Sequence, residues 1–99
     1  MKIGFLTGCL GDIPLYEKAK FARNAGFEAL EISAWPKENS RDYSGSDIDF
    51  DTFDETEAKK IRTYLSDMNL DISAMAYYDN NLDYDPIHRK QINEHLKKV

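Results

Sequence analysis

At 99 residues the chain falls in the size range of one domain, roughly 100 to 200 residues. Its 41% hydrophobic and 31% charged content suits a folded α/β protein and excludes a disordered one. A formal net charge of −5, with Lys and Arg scattered, excludes a nucleic-acid binder, which needs a basic face to displace counterions from phosphates. No run of about 18 apolar residues is present to cross a membrane. Lys2-Ile3-Gly4-Phe5-Leu6 passes into Thr7 and Gly8 without the apolar core of a secretory leader. A lone cysteine, Cys9, fits a reducing compartment, so the chain is expected to be cytoplasmic.

The first element is a short apolar run at 2–6, read as a strand. The next segment, at 13–25, places Leu15, Ala19, Ala22 and Ala25 near helical spacing. Asp12 is placed to cap this helix, Pro14 suits its first turn, and Gly26 supplies a left-handed stop. A second strand follows at 27–32, with Phe27, Ala29 and Glu31 on one face and Glu28, Leu30 and Ile32 on the other.

Residues 33–53 contain Trp35-Pro36, Gly45 and the acids Glu38, Asp42, Asp47, Asp49 and Asp51. So long a connection reads as a functional loop or an insertion. A second helix at 55–68 is marked by Asp54 and Glu57 in a capping-box-like relation and by Ala58, Ile61, Leu65 and Met68 every three or four residues. Asn69 ends it, residues 70–76 alternate as a third strand, and Tyr77 to Asn81 form a loop. Asp85-Pro86 opens a third helix at 86–99, a capping residue followed by proline at the first helical position.

Strands joined by helices predict an α/β fold with parallel strands and right-handed crossovers. A (β/α)8 barrel uses roughly 250 residues, about 31 per unit, so this chain would supply its first three βα units and leave the barrel incomplete. Phe5, Ala29 and Met75 are the positions expected to face the interior of such a barrel.

The segments Lys2-Ile3-Gly4-Phe5, Ala25 to Ile32 and Leu70 to Ala74 resemble the N-terminal part of the xylose-isomerase-like TIM barrels, the group of the sugar phosphate isomerases and epimerases. Ala76 to Leu82, continuing into Asp85-Pro86 and His95 to Val99, is similar to the third strand-loop-helix unit of one subgroup. The resemblance implies a barrel whose strand C-termini hold a divalent metal (Mg, Mn or Zn) and a sugar substrate. It further implies isomerisation or epimerisation by proton or hydride transfer next to a carbonyl. Metal ligands in that group come mainly from the fourth strand onward, so this chain alone is expected to carry no metal, no catalytic residue and no activity. Related apurinic-site endonucleases carry a histidine after the third strand, where this chain has Met75, Ala76 and Tyr77.

Barrel chemistry gathers at strand C-termini, which makes Glu31 the leading candidate to hydrogen-bond a sugar hydroxyl or support a metal ligand. Its alternative is a structural carboxylate paired with a neighbour. Trp35 could pack on a sugar face or anchor its loop. Tyr77, Tyr78, Asn80 and Asn81 offer groups suited to a polyol, or else pack and turn. His88 and His95 sit about 10.5 Å apart along a helix, too far to share one zinc, and read as surface or interface residues. No neighbouring base activates Cys9. The acids Asp47, Asp49 and Asp51 suggest calcium ligands but lack the glycine and glutamate that an EF-hand requires. The competing expectation is a stand-alone three-unit α/β module that self-assembles or binds a protein partner, covering its open sheet edges.

Overall fold

The computed structural model describes residues 1–36 and 46–99. Glu38, Asp42 and Gly45 of the long connection lie outside the described residues. The elements are β1 (Gly4–Leu6), a 3-10 turn (Thr7–Leu10), α1 (Leu15–Asn24), β2 (Ala29–Ser33), α2 (Glu55–Asp67), β3 (Asp71–Ala76) and α3 (Pro86–Lys98). The strands form one open parallel sheet in the order β1-β2-β3. The fold is therefore α/β, with a three-stranded sheet and three α-helices among the described residues.

Both helix-to-strand turns use the same device. In the first, Gly26 takes φ 85°, its N–H donates to Arg23 O, and Phe27 N–H reaches back to Ala22 O at 2.9 Å. In the second, Asn69 takes φ 57°, its N–H donates to Ser66 O, and Leu70 N–H reaches Leu65 O at 2.9 Å. These paired bonds satisfy the last carbonyls of each helix and turn the chain directly into β2 and β3. The helix starts differ. Asp54 Oδ1 accepts from Glu57 N–H at 2.8 Å to cap α2, and Asp85 Oδ1 accepts from Ile87 N–H at 2.9 Å to cap α3. α1 begins at Leu15 with Pro14 at its cap and no side-chain hydrogen bond there, so Asp12 does not fill that role.

The core lies between the sheet and α1 and α2. Leu15, Ala19 and Ala22 from α1 meet Ile61 and Leu65 from α2 over Leu30 and Ile32, with Ile48 and Leu70 closing the sides. The register sets Phe5 beside Leu30 and Met75 beside Ile32. Both side chains accordingly pack, half-buried, against this helix-side core. The expectation that they face a barrel interior is corrected by that register, since residues paired across a sheet share a face. Ala29 is 7% exposed and lies outside this cluster.

β3 is the exception to good coverage. Asp71 to Ala74 are exposed, and the register with β2 shifts between Leu30 and Glu31, where Ser73 Oγ donates to Leu30 O at 3.2 Å. α3 contributes nothing to the main core. Its buried residue Ile92 instead joins Trp35 and Tyr77 in a second, smaller cluster, with Val99 against it.

Gly4 is required by the closeness of β1 and β2. A Cβ there would stand 2.3 Å from the backbone oxygen of Ala29, and backbone cannot swing aside as a side chain can. Gly4→Ala is expected to destabilise the fold by about 1–3 kcal/mol through strand displacement, read as a lower midpoint in urea unfolding.

Candidate functional site

Parallel strands bring their C-termini to one end of the sheet, and polar side chains collect there. Thr7 follows β1, Ser33 closes β2, and both are fully buried. Ser33 N–H donates to Thr7 Oγ1 at 2.8 Å, and the Thr7 hydroxyl donates to Asp47 Oδ2. Asp47 N–H in turn donates to Ser33 O at 3.0 Å. The other Asp47 oxygen accepts from Lys18 Nζ at 2.7 Å, in an ion pair whose side chains are 1% and 2% exposed. One acid from the β2–α2 connection thus ties together α1 and the ends of β1 and β2. Ser33 Oγ is buried with no partner among the described residues.

Above this network sit the aromatic groups. Trp35 and Tyr77 meet edge to face with ring centroids 5.1 Å apart, and are 3% and 8% exposed. His95 from α3 packs its ring at 4.5 Å from Tyr77 and 5.4 Å from Phe50. Its Nε2–H donates to the Ala34 carbonyl at 2.7 Å. Burial pushes the Tyr77 phenol above its ordinary value, helped by nearby Asp79. A cleft of about 330 Å³ opens beside them, lined by Trp35, Phe50, Asp49, Asp51 and His95 among others.

The six residues singled out from the sequence separate into three environments. Trp35 and Tyr77 are brought together, under α3. Glu31 lies on β2, half-buried, between Leu6 and Ala74, and no described residue donates a hydrogen bond to its carboxylate. Tyr78, Asn80 and Asn81 are exposed on the loop, where Asn80 Oδ1 accepts from Leu82 N–H at 3.1 Å, the geometry of a turn.

The acids read as calcium-like go to different tasks. Asp47 points inward to Lys18, Asp49 Oδ1 accepts from Asp51 N–H at 3.1 Å, and Asp51 pairs with Lys98 at 3.5 Å. Among the described residues, no three His, Cys, Asp or Glu side chains converge as a metal site requires. His88 is exposed and donates to Asp83, whose carboxyl is held below its usual range first by the Asp85 N–H and then by His88. Cys9 is exposed.

Sequence reasoning missed Lys18, Ser33 and the network that joins them to Thr7 and Asp47, and read His95 as a surface or interface residue without its bond to Ala34. One signal was available. Lys18 falls between Leu15 and Ala22 on the apolar stripe of α1, where a charge must find an acid. Nothing comparable marks Asp47 among its acidic neighbours.

No family model, curated protein or solved structure matches the chain. Among the described residues, no helix is long and apolar enough to cross a membrane.

Two outcomes follow from this geometry. Lys18→Met strands the Asp47 carboxylate in the interior and is expected to cost about 3–5 kcal/mol in urea unfolding. Adding Asp47→Leu to it should recover most of that loss, because a buried pair can be exchanged for apolar packing far more cheaply than broken.

The second outcome concerns Tyr64, which meets Tyr16 edge to face at 5.2 Å on the outer side of α1 and α2. Burial, with Asp47 and Glu57 nearby, pushes its phenol from 10.0 up to about 12. A raised phenol pKa means the unfolded chain loses its proton first. The Tyr64 contribution to stability is therefore complete below pH 10.0 and lost as pH rises toward about 12. Urea midpoints across that window should fall for the natural chain and fall less for Tyr64→Phe.

Proposed function

We propose that the chain forms the first three βα units of a (β/α)8 barrel of the sugar phosphate isomerase/epimerase type, and supplies one wall of its sugar site. The observation that carries this reading is the common end of three parallel strands in the order β1-β2-β3, with Glu31 beside it and free of donors among the described residues. Glu31 would accept from substrate hydroxyls, and the loop bearing Tyr78, Asn80 and Asn81 would line the rim. The enzyme would be cytoplasmic, in keeping with the single cysteine, Cys9, of these 99 residues.

In this family reading a divalent metal, Mg²⁺, Mn²⁺ or Zn²⁺, would supply Lewis-acid chemistry at a substrate carbonyl. The described residues do not by themselves fit such an ion. Its ligands would come from further barrel strands, and the work of this segment is to bind and orient.

The test is to read the coding sequence beyond Val99 and assay its whole product on aldoses, ketoses and their phosphates with each metal. Further strand-helix units and interconversion of a substrate are expected, with Glu31→Gln raising KM about tenfold as one charged hydrogen bond is weakened. The 99-residue segment alone should show no turnover. Absence of activity across the panel in a folded product would overturn the assignment.

A second reading has its own support in β3, which is exposed over Asp71 to Ala74 and forms one edge of the sheet. A self-assembling module would cover that edge with another copy. Light scattering showing a defined dimer or larger closed assembly, together with a reading frame that ends at Val99, would favour it.

A further inference from the structure

We infer that α3 is a detachable cover on the strand C-termini, which opens without unfolding the main core and in doing so exposes the Trp35–Tyr77 pair. Three observations carry this. The core between the sheet and α1 and α2 contains no α3 residue, so lifting α3 leaves it intact. The cover is held instead by a separate small cluster, in which Ile92 and Val99 meet Trp35 and Tyr77. Finally, the tether is built to be independent. Asn80 receives the N–H groups of Leu82 and Asp83, and Asp83 receives those of Asp85 and the Arg89 guanidinium. These bonds close within the loop and α3.

His95 is the joint. Its Nε2–H bond to Ala34 O crosses from α3 to the residue just after β2, and its ring contacts both Tyr77 and Phe50. The ion pair of Lys98 with Asp51 adds little, because both side chains are more than half exposed. Elsewhere α3 presents Ile87 and Leu96 to solvent, at 71% and 42% exposure. Among the described residues α3 is thus secured by few buried apolar contacts, and such a segment belongs to the low-stability end of a structure and opens sub-globally.

What opening uncovers is chemically specific. With α3 in place Trp35 and Tyr77 are almost fully buried. With it lifted, an indole and a phenol ring gain access to solvent at the strand ends. This inference stands whether or not the isomerase reading does, since it concerns the chain's own packing.

Native-state hydrogen exchange on the 99-residue chain tests it. Amides of α3 should exchange at least about 100-fold faster than those of α1 and β2, with a dependence on low denaturant that is measurable but smaller than that of global unfolding. His95→Ala should speed α3 exchange by about a further tenfold and raise acrylamide quenching of Trp35, the only tryptophan, while leaving α1 and β2 unchanged. Exchange of α3 in step with α1 and β2 in the natural chain would overturn the inference, as would His95→Ala accelerating all elements equally. If the variant does not fold, the natural chain's exchange pattern decides alone.

Discussion

The buried pair of Lys18 and Asp47 is the constraint around which the described structure is arranged. Removing both charges from water carries a penalty of several kcal/mol per ion, and their attraction offsets it only when geometry is close and the remaining lone pairs are used. Both conditions hold. The contact is 2.7 Å, and Thr7 takes the second carboxylate oxygen. The result is directional in a way that apolar packing is not. Leu15 could slide against Ile61 with little loss, but Lys18 has one acid to meet, and Asp47 reaches it only when the β2–α2 connection lies across the ends of β1 and β2. Asp47 N–H on Ser33 O and Ser33 N–H on Thr7 then lock those strand ends to the loop.

That lock divides the molecule into two unequal parts. On one side, α1, α2 and β2 share a contiguous apolar core, and the central strand is buried through most of its length. On the other, β3 and α3 make no such joint layer. The reason lies in α3 itself, where Ile92 is the single buried position: one turn on, His95 is the side chain turned to the sheet side, while Leu96 stands 42% exposed. A helix with so narrow an apolar stripe cannot cover a strand, and settles where aromatic rings are waiting. Trp35 and Tyr77 supply them, and the half-polar His95 finds a carbonyl there that an aliphatic side chain could not use.

How much of this was legible in the sequence follows from the range of each interaction. Local rules sufficed for the caps at Asp54 and Asp85 and for the left-handed residues Gly26 and Asn69, because each is decided within one turn of chain. The facing of Phe5 and Met75 was not legible. β1 has only Gly4 to Leu6, too few residues for alternation to fix its phase, and β3 is interrupted by a register shift near Ser73. The ion pair was half legible, since Lys18 announces itself by lying on an apolar stripe. Its partner did not, because Asp47 is one of several acids in a connection without periodicity, and pairing across such a distance is set by tertiary packing alone.

The same parity that hides Leu30 and Ile32 against the helices turns Ala29, Glu31 and Ser33 to the opposite side of β2. Along that face a methyl group gives way to a carboxylate and then a hydroxyl toward the strand end. Ser33 is sealed beneath the Asp47 network, so Glu31 is the polar side chain of β2 that retains access to solvent. Its partners across the sheet, Leu6 and Ala74, have no side-chain donor to offer it. A carboxylate held on a central strand, accepting from no side chain among the described residues, has a rigidity that a loop residue lacks. Tyr78, Asn80 and Asn81 share its chemistry but stand on an exposed tether. Positional precision, more than residue type, is what distinguishes Glu31 from those loop residues.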